Sequence, residues 1–170
     1  RKRWTKLSKK ELYSSRVNTT RNLVKSINNS LSKIKLLITA SAIGIYGDGG
    51  DRTLKENSEK GDEFLAKICK DWEQESQNAS CRNTQLRFGL VLDNDSRSLK
   101  KILPFFENGF GGTLSNGKQW MSWIHIHDVV GIIMKIISEE KLEGALNVVS
   151  PEPVRNNKFT QILAKSLKTI

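Results

Sequence analysis

Residues 35–50 read KLLITASAIGIYGDGG. The run from Lys35 to Thr39 is short and apolar, which is typical of a strand buried in a parallel sheet. Residues 40–50 are rich in glycine and small side chains, so we expect a loop that opens at the carboxyl end of this strand. Because ligands of open α/β sheets bind at the carboxyl ends of the strands, this stretch predicts both the fold class and the edge at which to look for chemistry.

Helices and strands alternate along the rest of the chain. Apolar residues at helical spacing predict helices over residues 8–29 and 62–77, from Asp128 onward, and around Phe159–Leu167. A further short helix is expected toward Phe106. Residues 84–92 and 145–149 are predicted to be strands. Because such alternation produces a mostly parallel sheet with helices on both faces, the sequence predicts an α/β protein with a doubly wound parallel sheet.

Two of the predicted helices have a recognisable core face. In the first, Leu23, Ile27 and Leu31 recur every four residues. The predicted core face of helix 62–77 consists of Phe64, Leu65, Ile68, Cys69 and Trp72. Asp128 is expected to be the N-cap of the helix that follows it.

The chain has two cysteines, Cys69 and Cys81. Cys69 falls on the apolar face of helix 62–77, so we expect a core thiol rather than a reactive one. Two cysteines are too few for a disulfide framework or a zinc site. A reducing compartment, the cytosol or the stroma or matrix of an organelle, is therefore expected.

The chain is basic, with 28 lysines and arginines against 18 aspartates and glutamates. Much of the excess lies in residues 1–10, which leaves salt-dependent nucleic-acid binding through this end as an alternative. The sequence has neither zinc-finger spacing nor a ribonucleoprotein aromatic motif. No apolar run reaches the ~18–20 residues of a membrane span. We therefore expect neither a nucleic-acid nor a membrane partner.

Seven segments in a fixed order carry a family resemblance. They are SSRVNTTRNLV (14–24), ITASAIGIYGD (38–48), GDEFLAKICKDWE (61–73), LRFGLVL (86–92), residues 103–117, QWMSWIHIHDVV (119–130) and GALNVVSPEPVRNNKF (144–159). Together they resemble the epimerase-family proteins among the atypical short-chain dehydrogenases/reductases, which are often labelled nucleoside-diphosphate sugar epimerases or cell-division-inhibitor-like proteins. The resemblance implies a Rossmann-like fold.

The resemblance also implies a glycine-rich strand–turn–helix that holds the cofactor pyrophosphate. The chain has no G-x-G-x-x-G or G-x-x-G-x-x-G motif after a strand. We therefore expect residues 1–170 to be a partial dinucleotide-binding domain, an internal fragment without the first βαβαβ half and the C-terminal extension. Loops at about residues 93–127 are expected on the substrate side.

Catalysis in short-chain dehydrogenases rests on a Tyr-x-x-x-Lys pair with a serine or threonine. In extended members that hydroxyl lies four residues before a Tyr-Gly pair, which here is the position of Ala42, counted from Tyr46. The start of helix 62–77, where the pair is expected, contains no tyrosine. Ser41 and Tyr46 are the remaining candidate catalytic residues; packing beneath the loop with a locally bonded hydroxyl is the alternative for Tyr46.

Cofactor-binding residues also follow from the resemblance. Glu11 and Arg16 should face the cofactor, the carboxylate toward a ribose hydroxyl and the guanidinium toward a phosphate. Ala40 and Ser41 end the central strand, and Val91 should lie against the nicotinamide. The alternative for Glu11 and Arg16 is a solvent-exposed salt bridge, and the alternative for Val91 is ordinary packing in the core of a strand. The expected cofactor is NADP(H), with NAD as the other option.

The segment around Trp123 and His125 is expected to contact the substrate, with packing of the indole and a local hydrogen bond of the imidazole as alternatives. His125 and His127 alone do not make a metal site, so we expect no metal. Arg87 is expected to anchor a loop, and Asn147 to bond the backbone beside the last strand.

These observations predict an NADP(H)-binding epimerase- or oxidoreductase-like protein without the Tyr-x-x-x-Lys pair. Its substrate is an unidentified small molecule, for which a sugar nucleotide is one candidate. The alternative is a non-catalytic nucleotide-binding regulator or interaction protein linked to cell division.

Overall fold

The computed structural model describes residues 4–93 and 95–167, so the basic residues 1–3 lie outside the described part. The helical elements are α1 (Lys6–Tyr13), a π-helical turn (Ser14–Asn18), α2 (Thr19–Asn28), a 3-10 turn (Ile43–Tyr46), α3 (Phe64–Gln77), α4 (Arg97–Glu107), α5 (Ile126–Ser138) and α6 (Asn156–Ser166). The strands are β1 (Leu36–Ala42), β2 (Arg82–Phe88), β3 (Leu90–Leu92), β4 (Trp120–Met121), β5 (Trp123–His125), β6 (Gly144–Val148) and β7 (Val154–Arg155).

The chain divides into two compact units. Unit 1 comprises Arg1–Gly49, Leu54–Arg87 and Ile136–Asn147, and unit 2 comprises Gly50–Thr53, Phe88–Lys135 and Val148–Ile170. Unit 1 is built on a three-stranded sheet of order β1-β2-β6, with α3 against β1 and α2. The predicted alternation of strands and helices is present.

Strand β1 is longer than predicted, because it continues to Ala42, three residues into the expected loop. Its side chains alternate between the two faces, which buries Thr39 and Ser41 and leaves Ala40 exposed. Small polar residues usually indicate a loop, but Ser41 and Thr39 both find hydrogen-bond partners on α3, at 2.7 and 2.8 Å. A buried hydroxyl with a partner is compatible with a strand.

The first helical region has a different core face from the predicted one. Leu23 and Leu31 are exposed, whereas Val17, Thr20 and Val24 are buried. The polar Thr20 belongs to this face because its hydroxyl accepts a hydrogen bond from the Trp72 indole at 2.8 Å. Periodicity of apolar residues alone therefore gave the wrong face.

Unit 2 contains two small sheets. Strands β3 and β5 are parallel, with Val91 opposite Ile124, and β4 and β7 are antiparallel, with Trp120 opposite Arg155. The predicted strand over residues 84–92 is broken at Gly89, whose N–H donates to the Val148 carbonyl. The short strand β7 was not predicted.

Helix α5 begins at Ile126, so the prediction that Asp128 is its N-cap is wrong and Asp128 lies in the first turn. His125 immediately precedes the helix, and its Nδ1 accepts the His127 backbone N–H at 3.2 Å. The imidazole thus satisfies a free N–H of the first turn, which is the role expected of a cap.

Within residues 4–93 and 95–167, no helix combines the length and the apolar character that crossing a bilayer would require.

Gly89 predicts a matched pair of substitutions. A Cβ at Gly89 would lie 2.6 Å from the Ser122 carbonyl oxygen and 2.9 Å from Val149 Cγ1, so the backbone would have to shift. We expect Gly89→Ala to lower the free energy of unfolding by about 1–3 kcal/mol. A Cβ at Gly131 meets nothing within 4 Å, and Gly131→Ala in helix α5 should be neutral or stabilising by about 0.5–1 kcal/mol. Denaturant unfolding checks both, and equal effects would contradict the packing argument.

Candidate functional site

The centre of unit 1 is a buried ion pair between Glu73 of α3 and Arg87 of β2. Arg87 Nε donates to Glu73 Oε1 and Arg87 Nη2 to Glu73 Oε2, each at 2.8 Å, which is a bidentate arrangement. The side chains are only 1% and 3% exposed. Two charges this deeply buried depend on each other, because removing one leaves the other without its bidentate partner.

Neighbouring groups hold both members of the pair in their charged forms. Burial by itself raises the pKa of Glu73, but hydrogen bonds from Arg87 and Ser41 outweigh it and leave that pKa below its ordinary value. Hydrogen bonding to Glu73 likewise raises the pKa of Arg87. The ammonium of Lys60, 3.7 Å from Glu73 Oε2, adds further positive charge.

Ser41, a predicted catalytic and cofactor residue, belongs to this network. Its hydroxyl donates to Glu73 Oε1 at 2.7 Å, and the residue is only 4% exposed. The hydroxyl proton is thus directed toward a buried carboxylate. Ala40 next to it is exposed at the end of β1.

Tyr46 is the other predicted catalytic residue, and its hydroxyl both accepts and donates a hydrogen bond. Its hydroxyl accepts from Arg87 Nη1 at 2.8 Å and donates to Asn147 Oδ1 at 2.6 Å. The Arg87 guanidinium also lies 5.2 Å from the centre of the tyrosine ring. With the ring buried, this geometry favours the alternative of a packed tyrosine with a locally bonded hydroxyl.

The same network fixes the segment that follows the 3-10 turn. Arg87 Nη1 donates to the Glu56 carbonyl at 2.9 Å, and the Asn147 backbone N–H donates to Glu56 Oε1 at 2.8 Å. The Gly61 N–H donates to the Ile45 carbonyl. This geometry is what the sequence led us to expect of Arg87, namely the anchoring of a loop.

Cys69 packs against Ile45 and Tyr46 beside the network. Burial, followed by the nearby Glu73 carboxylate, raises the pKa of the Cys69 thiol. A protonated, buried thiol is a packing residue and not a nucleophile. The prediction of a core thiol is confirmed.

The two predicted cofactor residues of the first helical region face different surroundings. Glu11 lines an open groove of about 420 Å³ together with Trp4, Ser8, Leu12 and Ser15. The Arg16 guanidinium instead lies 5.6 Å from the ring centre of Trp72 and donates to the Leu12 carbonyl and the Ser15 hydroxyl. Arg16 is part of the π-helical turn, a distortion found frequently at functional sites.

The predicted substrate residues lie in unit 2. Trp123 donates its indole N–H to the Glu152 carbonyl at 3.0 Å. Val91, which was predicted to contact the cofactor, is half-buried in strand β3 of the same unit. His125 is exposed, with its ring edge-on to that of His127 at 4.8 Å between centres. No group of three potential metal ligands occurs among the described residues.

Glu73 was not identified from the sequence as a buried residue. It shares one helical face with Ala66, Cys69 and Ser76, all of them buried. A carboxylate at that spacing was a usable signal, but the predicted face included Leu65 instead, which is 47% exposed.

Comparison of the sequence with protein families tests the resemblance noted above. Residues 1–149 match the NAD dependent epimerase/dehydratase family. The chain belongs to this family. The expected family resemblance and the α/β, Rossmann-like fold class are thereby confirmed.

Relatives in this epimerase/dehydratase family match almost the whole chain. The Arabidopsis thaliana chloroplastic homolog of epimerase family protein SDR39U1 is 36% identical over 169 residues, which is 97% of this chain and 49% of that protein. Epimerase family protein YfhF of Bacillus subtilis is 36% identical over 167 residues, 96% of this chain and 55% of that protein. The chain thus spans about half the length of these relatives.

Two solved structures share the fold. The human epimerase family protein SDR39U1 (isoform 2), solved with NADPH, superposes with a TM-score of 0.92 at 29% identity, over 98% of this chain and 58% of that one. The nucleoside-diphosphate sugar epimerase of Corynebacterium glutamicum gives a TM-score of 0.82 at 36% identity, over 98% of this chain and 38% of that one.

The buried ion pair predicts that the free energy of unfolding falls steeply when only one of its two partners is removed. Arg87→Met leaves a buried carboxylate without its partner, and we expect it to lower the free energy of unfolding by about 3–5 kcal/mol. Adding Glu73→Leu should recover part of that loss. The matched control is the exposed pair of Lys70 and Asp62, where Lys70→Met should cost less than about 1 kcal/mol. A double variant as unstable as the sum of the singles would contradict a coupled pair.

The lowered pKa of Glu73 predicts a pH dependence. Its contribution to stability is complete above the pKa of an unfolded glutamate, about 4.3, and is lost as the pH falls through the lower folded value. The difference in unfolding free energy between the parent protein and Glu73→Gln should therefore be constant above about pH 5 and shrink below about pH 4. Denaturant unfolding from pH 3 to 7 measures it, and a difference that grows in acid would refute the assignment.

Proposed function

We propose that the protein binds NADP(H) and acts as an epimerase- or oxidoreductase-like protein on a small molecule. The observation that carries this proposal is the TM-score of 0.92, over 98% of this chain, to a human family member solved with NADPH. NAD is the alternative cofactor. Two free cysteines fit a reducing compartment, which we propose to be the cytosol or the stroma or matrix of an organelle.

The groove along α1 has the chemistry of the sugar part of such a cofactor. Glu11 supplies a carboxylate that accepts hydrogen bonds from ribose hydroxyls, and Ser8 and Ser15 add hydroxyls. Among the described residues, the groove is lined by one carboxylate, two hydroxyls and two largely apolar side chains, a combination that suits a ribose. We therefore propose Glu11 as a ribose ligand.

The other proposed cofactor residues receive less support. Arg16 would have to leave Trp72 and the Leu12 carbonyl to reach a phosphate. Ala40 is exposed at a strand end, and Val91 is partly accessible, so both remain proposed backbone or packing contacts.

Titration of the whole protein with NADPH, followed by nicotinamide fluorescence, tests the cofactor proposal. Glu11→Gln should weaken NADPH binding about fivefold, the equivalent of one hydrogen bond. Glu140→Gln, a change of the same kind on an exposed turn after α5, should leave it unchanged. A protein that gives no fluorescence change with either NADPH or NADH would refute the proposal.

The proposed chemistry does not use the standard dyad. Ser41 and Tyr46 remain the candidate groups for moving a proton, and Trp123 and His125 the candidates for substrate contact. A nucleoside-diphosphate sugar is the proposed substrate class, because a relative of 36% identity is described as an epimerase of such sugars.

A non-catalytic regulator linked to cell division is the second candidate. It is favoured by the absence of the Tyr-x-x-x-Lys pair and by the Tyr46 hydroxyl, whose proton is already donated to Asn147.

Tyr46→Phe separates the two candidates. If Tyr46 transfers a proton, turnover of nucleoside-diphosphate sugars in the presence of NADP⁺ should fall by about 10²-fold or more while NADPH affinity stays constant. If the hydroxyl only packs, any turnover should follow the loss of folded protein, because Arg87 and Asn147 lose a partner. Nuclear magnetic resonance of the sugar protons in D₂O measures the turnover, and its complete absence in the parent protein favours the regulator.

A further inference from the structure

Unit 2 holds an exposed cluster in which two donors converge on one carboxylate oxygen. Asp51 Oδ1 accepts from Arg155 Nη2 at 2.6 Å and from Trp120 Nε1 at 3.0 Å. The Arg155 guanidinium also stacks on Trp120, with its carbon 3.9 Å from the ring centre. Neither the proposed cofactor groove nor the buried ion pair includes these residues.

The two donors are fixed in place before any anion arrives. Trp120 and Arg155 are directly opposite each other in the antiparallel pair of β4 and β7. Arg155 Nη1 donates to the Lys118 carbonyl, which leaves Nη2 to point at the carboxylate. A guanidinium held by stacking and by a backbone carbonyl loses little freedom when it binds an oxyanion.

The acceptor, the Asp51 carboxylate, can in contrast be displaced from the two donors. Asp51 follows Gly49 and Gly50, and Gly50 has the positive φ of 58° that favours glycine. The Asp51 side chain is 76% exposed, and Trp120 is 45% exposed. Exposed ion pairs of this kind are weak in water, so a soluble anion can compete with Asp51.

We propose that Trp120 and Arg155 form a binding site for a phosphate-type oxyanion, and that the Asp51 carboxylate occupies it as a built-in competitor. The carboxylate oxygen stands where an oxygen of the ligand would be. Hydrogen bonds from Arg155 and Trp120 hold the pKa of Asp51 below its usual range, as expected for a site that selects anions. The ligand is inorganic phosphate or the diphosphate of a nucleotide, which share this chemistry.

Calorimetric titration of the whole protein with inorganic phosphate, uridine diphosphate and uridine at low ionic strength tests the proposal. Asp51→Asn removes the competitor, so phosphate should bind at least about threefold more tightly than to the parent protein. Arg155→Gln should weaken phosphate binding at least about tenfold in the parent and in Asp51→Asn, since it removes the charge-assisted donor. Lys101→Gln is the matched control: it removes the same charge from an exposed side chain of unit 2 and should change affinity less than about twofold.

The relative affinities for uridine diphosphate and phosphate identify the source of the ligand. Tighter binding of uridine diphosphate than of phosphate, lost with Arg155→Gln, identifies a nucleotide as the source; equal affinities identify free phosphate. The proposal is overturned if Asp51→Asn binds phosphate no better than the parent, if Lys101→Gln is as damaging as Arg155→Gln, or if uridine binds as well as its diphosphate. Should Arg155→Gln fail to fold, Trp120→Phe removes the indole N–H, keeps the ring, and should still weaken binding. NADPH affinity should not change in any of these variants, so the test is independent of the proposed cofactor function.

Discussion

The salt bridge between Glu73 and Arg87 is the constraint on which the organisation of unit 1 depends. It joins helix α3 to strand β2 with two hydrogen bonds of 2.8 Å in an environment that excludes water. Such a pair contributes little net stability compared with apolar residues of the same shape, but losing one partner is costly. Its effect is therefore to specify one arrangement: α3 must present Glu73 to β2, and every polar group near the pair must be placed to complement it.

That requirement explains why two residues expected to do chemistry are engaged in structural hydrogen bonds. Ser41 is a third donor to the Glu73 carboxylate, and Tyr46 connects Arg87 to Asn147. Both hydroxyls are buried and hydrogen-bonded, so either could transfer a proton only after exchanging its present partner for substrate. In this arrangement the Ser41 and Tyr46 hydroxyls support the ion pair from its two sides.

The sequence could predict what depends on local periodicity. The alternation of strands and helices and the buried position of Cys69 follow from neighbours a few residues apart. The helical spacing of Glu73 places it on the same face as Cys69, but a carboxylate is assigned to solvent until a buried cation is known. Its partner Arg87 lies 14 residues further along the chain, so periodicity alone did not reveal it. Nor could the burial of Thr20 be predicted, because its partner, Trp72, is distant in sequence.

Amide hydrogen exchange in Arg87→Gln tests most directly whether the ion pair organises unit 1. The informative amides are those of Asn147 and Gly61, which bond Glu56 Oε1 and the Ile45 carbonyl in the segment that Arg87 anchors. Under conditions where the variant is folded, we expect exchange at both amides to be at least about tenfold faster than in the parent, with unchanged protection at Leu142, whose amide donates to the Glu139 carbonyl. Unchanged protection at Asn147 and Gly61 would contradict it.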